Sequence, residues 1–448
     1  MSTVRTRATE RNRRARATSR RRLRLLGLVA TLSAVAIGCA ANPGPGQDAV
    51  VVRARTAAAA AGPNDASAGA GALDRLTAAL SQPILTTEPG NVTYSPASIA
   101  LALGMLRAGA TGASARQVDH LFGLPGKDVP TALNGLAHTL AGVRQHVGHD
   151  SGHPPVVRLD VADALWGQRG VTWRQPFLNT LARYYSTGVH VLDYEHDSAG
   201  ARRTVNRWVA DHTDGKISDL IPPQAFTPTT RLTLTNAMYL SAPWAEQFSA
   251  AGRQEFTTDT GSRSVPMMSA DLRTTYHRGD GWQAVTIPYA GRTLAMTVIV
   301  PAGHGLAAVQ QKLANGALLP AATAPGRTQP VSLTMPPFDL ASTVNAKAAL
   351  QEAGLTAPFT PGTTDLRPMS HDPAAGRLSV TDVLHQATVT VDEHGTEAAA
   401  ATAIEIGTTA AIARPVPVRL DRPFLFVIHD TATGAPLFVG RVSDPTAR

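Results

Sequence analysis

Residue types that commonly perform catalysis occur in this chain, but not at the spacings that catalysis requires. The sequence contains no G-x-S-x-G, H-E-x-x-H or S-x-x-K motif, so it lacks the conventional enzyme signatures. The segment Gly215-Lys216-Ile217 lacks both the Ser/Thr and the upstream glycine of a phosphate-binding loop. The single cysteine, Cys39, lies near the amino terminus, so the rest of the chain has no thiol nucleophile. We therefore predict that the protein is not an enzyme.

One polar loop contains two groups that resemble chemical sites without matching them. Asp150-Ser151-Gly152 resembles the G-D-S-G-G loop around the nucleophile of trypsin-like proteases, but the residues on both sides of it are histidines. Histidine is a common ligand of transition metals, and three histidines lie in this loop: His146, His149 and His153. Histidines in a flexible polar loop are more often solvated. We expect neither a catalytic serine nor a metal site here.

The most informative stretch is the alanine-rich run that follows Glu393. As a helix it would be short, because Gly395 and Gly407 bound it, and it would have no large apolar face to dock. As a strand it has two faces with a period of two. One face is small or apolar: Thr396, Ala398, Ala400, Thr402, Ile404 and Ile406. The other carries both charges: Glu397, Ala399, Ala401, Ala403 and Glu405. Nothing bulky would obstruct its entrance into a β-sheet, so this loop can become a strand.

The basic charge of the protein is concentrated at its amino terminus. The formal net charge is +8, from 41 basic and 33 acidic residues. Residues 1–24 hold ten arginines and one glutamate, so the remainder has 31 basic against 32 acidic side chains. A near-neutral remainder gives no reason to expect nucleic-acid binding.

Residues 1–40 have the parts of a secretory signal: an arginine-rich stretch, an uncharged apolar run over 25–37, and small residues after it. The segment Ala36-Ile37-Gly38-Cys39 resembles a bacterial lipobox, in which Cys39 would carry a lipid anchor. The alternatives are a plain signal peptide, cut after Ala40 or Ala41, and a twin-arginine signal. We expect a protein that is secreted or anchored to the outer face of the cell membrane.

The element pattern predicts one large α+β domain. Residues 41–71 are rich in Ala, Gly and Pro with few large apolar groups, so we predict a flexible linker there. Residues 72–448 have globular composition without another linker. Ser95-Pro96 predicts a helix start, and helical patterns dominate the first half of this domain. Short β-branched or alternating runs dominate the second half, which favours α+β over a doubly wound sheet.

Several motifs, in order, resemble those of one family, the serpins (serine protease inhibitors). The run after Glu393 is similar to the hinge of inhibitory serpins, and further segments resemble the family's second helix, a later helix and its turn, a central strand, and the C-terminal hairpin. These segments are Asn91-Val-Thr-Tyr-Ser95-Pro96-Ala-Ser98-Ile99, Asn206-Arg-Trp208-Val209, Thr213-Asp-Gly215-Lys216-Ile217, Thr235-Asn236-Ala237-Met238-Tyr239, Pro423-Phe424-Leu425-Phe426 and Leu437-Phe438-Val439-Gly440-Arg441-Val442. The Ala-, Arg- and Gly-rich composition is typical of a bacterial member.

The resemblance implies three β-sheets, about nine helices and an exposed reactive loop between Glu393 and about Val416. A target serine protease would cut this loop and form an acyl-enzyme, and the loop would then insert as an extra strand of the central sheet. The resemblance implies no cofactor and a monomer whose partner is the protease. The hinge would comprise Glu393, Gly395, Thr396, Glu397, Ala398, Ala399, Ala400, Ala401 and Thr402.

The resemblance also locates the region where the central sheet would open. By motif match this region contains Ser95, Ser98, Asn236 and His385, whose hydrogen bonds would be exchanged during insertion, while Trp244 would cover the upper end of the opening. One departure concerns Glu393. Many serpins pair this glutamate with a lysine, but the matching segment here reads Met335-Pro336-Pro337-Phe338.

Two positions for the cut bond stay open. Counting sixteen positions from Glu393 gives Thr409-Ala410, which we favour, whereas counting back from Pro423 gives Ile412-Ala413. The window is small or apolar, which suits the shallow pocket of an elastase-like or subtilisin-like protease. The alternative function is that of a non-inhibitory serpin acting as a binding protein or chaperone.

Overall fold

The computed structural model describes residues 49–143, 157–302, 305–361, 366–370, 372, 378–396 and 414–447. Nine α-helices lie within these ranges: α1 Pro63–Thr87, α2 Pro96–Ala108, α3 Gly112–Phe122, α4 Val129–Val143, α5 Gln175–Tyr185, α6 Tyr194–His212, α7 Leu306–Ala314, α8 Leu318–Ala322 and α9 Ala346–Glu352. In this part of the chain, no helix combines the length and apolar character needed to span a bilayer.

The strands of the same ranges lie mainly in the second half of the chain. They are β1 Val50–Val52, β2 Val92–Tyr94, β3 Arg158–Gln168, β4 Val189–Leu192, β5 Leu232–Pro243, β6 Ser249–Thr258, β7 Gly261–Gly279, β8 Trp282–Pro288, β9 Leu294–Pro301, β10 Thr328–Met335, β11 Phe338–Asn345, β12 Asp382–Val391, β13 Gly395–Thr396, β14 Val416–Arg419, β15 Phe424–Asp430 and β16 Pro436–Val442. Helices early and strands late confirm the α+β class.

The strands form two connected networks. A seven-stranded sheet has the order β1-β4-β3-β5-β13-β12-β11, with β5 and β12 also paired directly to each other. The second network follows the order β14-β10-β7-β8-β9-β15-β16-β2, with β6 added beside β7. The long strand β7 pairs with β6 and β10 over most of its length and with β8 at its end. The second network is therefore two sheets joined through β7, which agrees with the three sheets predicted.

Helix α2 begins where the sequence predicted it. The Ser95 hydroxyl accepts a hydrogen bond from the Ser98 N–H (3.1 Å), and Pro96 occupies the first helical position. Proline is tolerated there because its missing N–H would have no partner within the helix. The first eleven residues of α2 are all buried, so this helix lies inside the molecule, beneath the seven-stranded sheet.

The two faces of the seven-stranded sheet pack against different structures. The inner face belongs to the main core, which includes α2. The outer face is covered by α6 and the chain that follows it, through a separate apolar cluster. The sheet contributes Ala162, Ala164, Trp166, Leu192, Ala237 and Leu384 to this cluster. Because Ala237 lies on β5 and Leu384 on β12, this outer cluster extends across the border between these two strands.

The predicted linker over 41–71 is wrong for the part that the structure describes. Strand β1 pairs antiparallel with β4, and α1 already begins at Pro63. Between them the Ala59 N–H donates to the Arg183 carbonyl (2.8 Å). Gly188 allows β1 to approach, since a Cβ there would lie 2.3 Å from the Val52 carbonyl oxygen. The prediction failed because it counted only large apolar side chains. Strand β1 is ordered by backbone pairing at a sheet edge, and small residues let the start of α1 pack closely on α4, where a Cβ on Gly69 would lie 2.5 Å from the Ala132 carbonyl oxygen.

Several sequence-based candidates fall on residues outside the described ranges. They are the signal segment with Cys39, the start of the linker to residue 48, and the polar loop with His146, His149, Ser151 and His153.

Candidate functional site

The border between β5 and β12, called the seam below, is closed along its lower part. The two strands run parallel and pair from Asp382↔Thr233 to Thr388↔Tyr239. Above that level, the two residues of β13 lie between them: Thr396 pairs with Val391 of β12 and with Ala242 of β5. The sheet is therefore paired below and already separated by an added strand above.

A buried histidine marks the lower seam. His385 of β12 lies opposite Asn236 of β5, and both side chains are buried. The Ser95 N–H donates to His385 Nε2 (2.9 Å), so the ring is neutral with its hydrogen on Nδ1. Burial lowers the pKa of His385 to about 3. The histidine thus ties α2 to β12 as an uncharged acceptor.

On the other side of Asn236 lies a carboxyl group that the sequence analysis did not identify. Asp163 of β3 is opposite Asn236 in the sheet register, and the Ser98 hydroxyl donates to Asp163 Oδ1 (2.5 Å). Burial raises the pKa of Asp163 well above its usual range. The sequence signal was present, because Asp163 interrupts an otherwise apolar run, Ala162 to Trp166, in a central strand.

The first turn of α2 therefore contacts strands on both sides of the seam. Ser95 is bonded to His385 on β12, whereas Ser98 is bonded to Asp163 on β3. An inserted strand would widen the seam by about 4.8 Å. Because one helix turn cannot hold both sides across that added width, opening the seam must break or exchange one of these hydrogen bonds.

The upper seam holds the start of the predicted hinge through backbone and indole contacts. The Trp244 N–H donates to the His394 carbonyl and its Nε1 donates to the Asp392 carbonyl, both at 2.9 Å. The Phe248 N–H donates to the Glu393 carbonyl, also at 2.9 Å. Trp244 thus lies beside the start of the predicted hinge, at the upper end of the seam.

The hinge residues of β13 fit a narrow space. Gly395 has φ +152°, and a Cβ there would lie 2.3 Å from the Ala242 carbonyl oxygen, so only glycine fits without displacement. Thr396 is fully buried, and its Oγ1 lies 2.8 Å from the Tyr289 hydroxyl. The Tyr289 ring stacks on Trp244 with centroids 4.5 Å apart and planes 10° apart. These residues form what we call the seat: Ala242, Trp244, Phe248 and Tyr289.

The structure describes Glu393 but not most of the predicted loop that follows it. Within the described ranges Glu393 forms no ion pair, and the Met335-Pro336-Pro337-Phe338 segment joins β10 to β11. The remaining predicted hinge residues and both candidate cut bonds lie outside the described residues: Glu397, Ala398, Ala399, Ala400, Ala401, Thr402, Thr409-Ala410 and Ile412-Ala413. The described chain resumes at Arg414, just before β14.

Comparison with known proteins identifies the family. The sequence model of the family described as Serpin (serine protease inhibitor) matches residues 72–445. Serpin-ZXA of Oryza sativa subsp. japonica is 32% identical over 383 residues, which cover 83% of this chain and 95% of that protein. An uncharacterized serpin-like protein of Thermococcus kodakarensis is 31% identical over 359 residues, covering 79% and 81%. The structure of Arabidopsis AtSerpin1 in its native stressed conformation matches with a TM-score of 0.73 and 25% identity, covering 85% and 99%. The chain therefore belongs to the serpin family.

Proposed function

We propose that this serpin inhibits serine-type endopeptidases by trapping them as an acyl-enzyme while its reactive loop inserts between β5 and β12. The observation that carries this proposal is that Gly395 and Thr396 already occupy the upper seam as a strand. The lower seam is bridged by hydrogen bonds that can be exchanged when the strand extends downward.

The catalytic groups that cut the loop are those of the protease. The serpin supplies the peptide bond that is cut and then carries the resulting ester along the sheet. The protease serine oxygen attacks the carbonyl carbon of Thr409, the bond to Ala410 breaks, and the Ala410 nitrogen leaves with a proton. Thr409 stays bonded to the protease as an ester. Insertion must then be faster than attack by water, since hydrolysis of the ester would release the protease.

The alternation along the hinge suits this movement. Thr396 points to the inner face, so extension of the strand would direct Ala398, Ala400 and Thr402 inward as well. Residues 397–409 would add thirteen residues of strand and carry the ester about 43 Å along the sheet, at roughly 3.3 Å per residue. Small inward side chains permit this insertion without repacking of the core.

The target class follows from the residues around the cut bond. Residues 407–412 are small or apolar, which fits elastase-like or subtilisin-like proteases. The basic Arg414 follows both candidate cut bonds, so a trypsin-like protease, which cuts after a basic residue, does not fit.

The test introduces the same bulky charge on two faces of the hinge. Ala398→Arg would place an arginine against the core during insertion, whereas the neighbouring Glu397→Arg would place it on the outer face. Each variant is mixed with subtilisin or pancreatic elastase and examined by denaturing electrophoresis. We expect wild type and Glu397→Arg to form a covalent complex, and Ala398→Arg to be cut without trapping the protease. Equal trapping by both variants would contradict insertion, and no trapping by wild type would favour a non-inhibitory binding protein or chaperone.

The location of the protein is part of this proposal. The signal segment would deliver it outside the cytoplasmic membrane, either free or held by lipid on Cys39. Full-length wild type and Cys39→Ser are expressed in a bacterial host that processes lipoproteins, and membranes and medium are compared. A membrane-bound wild type and a released variant would support the anchor, whereas release of both would indicate a plain signal peptide.

A further inference from the structure

The seat holds Thr396 without using a charged group. Glu393, where many serpins form an ion pair, forms none within the described ranges. Thr396 is bonded instead by Tyr289, whose hydroxyl lies 2.8 Å from Thr396 Oγ1 in a fully buried environment. The Asp392 carboxylate accepts from the Gly395 N–H (3.0 Å), but it belongs to the same turn of the chain and does not tie β13 to a neighbouring strand.

Tyr289 is itself fixed in place on three sides. Its N–H donates to the Leu294 carbonyl (3.0 Å), and the next residue, Ala290, donates to the Pro243 carbonyl (2.8 Å). Its ring stacks on Trp244, which in turn holds the carbonyl of Asp392. A hydroxyl on such a rigid ring loses little side-chain freedom when it binds, so nearly all of its hydrogen-bond energy is available to hold Thr396.

We propose that Tyr289 is a positioning residue whose hydroxyl holds Thr396 between β5 and β12 in the uncut molecule, so that strand insertion has begun before a protease arrives. The consequence for inhibition rests on the proposed function, but the positioning itself exists without a protease. Where many serpins pair the hinge glutamate with a lysine, this protein would use a neutral, buried hydrogen bond, which salt does not screen.

Hydrogen exchange of the uncut protein tests this directly. The measured quantity is the exchange rate of the peptide that contains Gly395 and Thr396, in wild type, Tyr289→Phe, Thr396→Val and the double variant. A neutral hydrogen bond of ordinary strength changes an equilibrium about fivefold. We expect exchange about fivefold faster in each single variant and no further acceleration in the double variant, because both substitutions remove the same bond. Raising NaCl to 1 M should leave the wild-type rate unchanged.

The matched control is Tyr276→Phe, which removes the hydroxyl that donates to Gln283 (3.1 Å) on the second strand network. It should leave exchange at the hinge unchanged, and exchange in β15 should be the same in all variants. Unchanged hinge exchange in Tyr289→Phe, or equal acceleration in Tyr276→Phe, would overturn the proposal.

A second measurement separates this inference from the proposed function. The number of serpin molecules consumed per protease trapped should rise in Tyr289→Phe, because a released hinge inserts more slowly. If no variant traps a protease but the exchange pattern holds, the positioning role stands and the inhibitory function fails. If trapping is normal and hinge exchange does not change, inhibition stands and the role of Tyr289 is wrong.

Discussion

The lower and upper parts of the seam are held by different kinds of contact. The lower part joins β5 and β12 by a continuous ladder, and two titratable side chains beside it, the buried His385 and the partly buried Asp163, bind the first turn of α2. The upper part is split by β13 and held by an aromatic pair and a neutral hydroxyl pair. Under the proposed function, the lower seam would resist opening, and the upper seam would accept extension of the strand.

The largest expected effect comes from displacing the hinge from the seat. Gly395→Ala would place a Cβ against the Ala242 carbonyl at a positive φ, and such strain costs of the order of 1–3 kcal/mol. The hinge should leave the sheet, with exchange at residues 394–396 increased roughly tenfold or more. Gly90→Ala is the control, since Gly90 also has positive φ (+76°) but open space around it. A hinge that exchanges equally slowly in Gly395→Ala would show that β13 is not tightly seated.

The lower seam should respond to acid through His385. Its pKa is lowered from 6.5 to about 3, so the native protein binds fewer protons than the unfolded chain. The stability that this group contributes is complete above pH 6.5 and is lost as pH falls toward 3, by up to about tenfold per pH unit in the ratio of native to unfolded protein.

The variant His385→Gln tests this, because its amide oxygen can accept from the Ser95 N–H without titrating. The melting temperature of the native protein should fall less between pH 6.5 and 4 in this variant than in wild type. The same slope in both would assign the acid sensitivity to other groups.

Asp163 should act in the opposite direction. Because burial raises its pKa, the native state binds its proton more tightly, and stability is lost as pH rises from about 3.8 upward. Asp163→Asn keeps an oxygen to accept from Ser98 and removes the ionisation. We expect a melting temperature a few degrees above wild type at pH 8 and no gain at pH 4. A loss of stability at both pH values would show that the carboxylate is needed in its charged form.

The smallest effect should come from the far edge of the same sheet. Gly188→Ala would push a Cβ toward the Val52 carbonyl and loosen β1, whose Val50 and Val51 side chains are already exposed. Exchange in β1 should increase, while exchange at Thr396 and the rate of protease trapping stay as in wild type. A changed exchange rate at Thr396 in this variant would mean that the seam is coupled to the sheet edge.

Much of this arrangement was predictable from local sequence, and the rest depended on contacts between distant residues. Period-two alternation predicted that Thr396 faces the sheet, and motif resemblance placed Ser95 and His385 near each other. Asp163 stands out in the sequence as an acid in an apolar run, but its partner Ser98 is known only once β3 and α2 come together. The linker prediction failed at β1 because its partner strand, β4, lies about 140 residues away in the chain.

The most direct test of the central claim is the thermal stability of the protein before and after its reactive loop is cut. A loop that extends β13 down the seam would add thirteen residues of strand to the sheet, and the proposed function requires that this extension be favourable. The cleaved protein should therefore melt well above the uncut protein. A cleaved protein that melts at the same temperature as the uncut one, or below it, would contradict insertion.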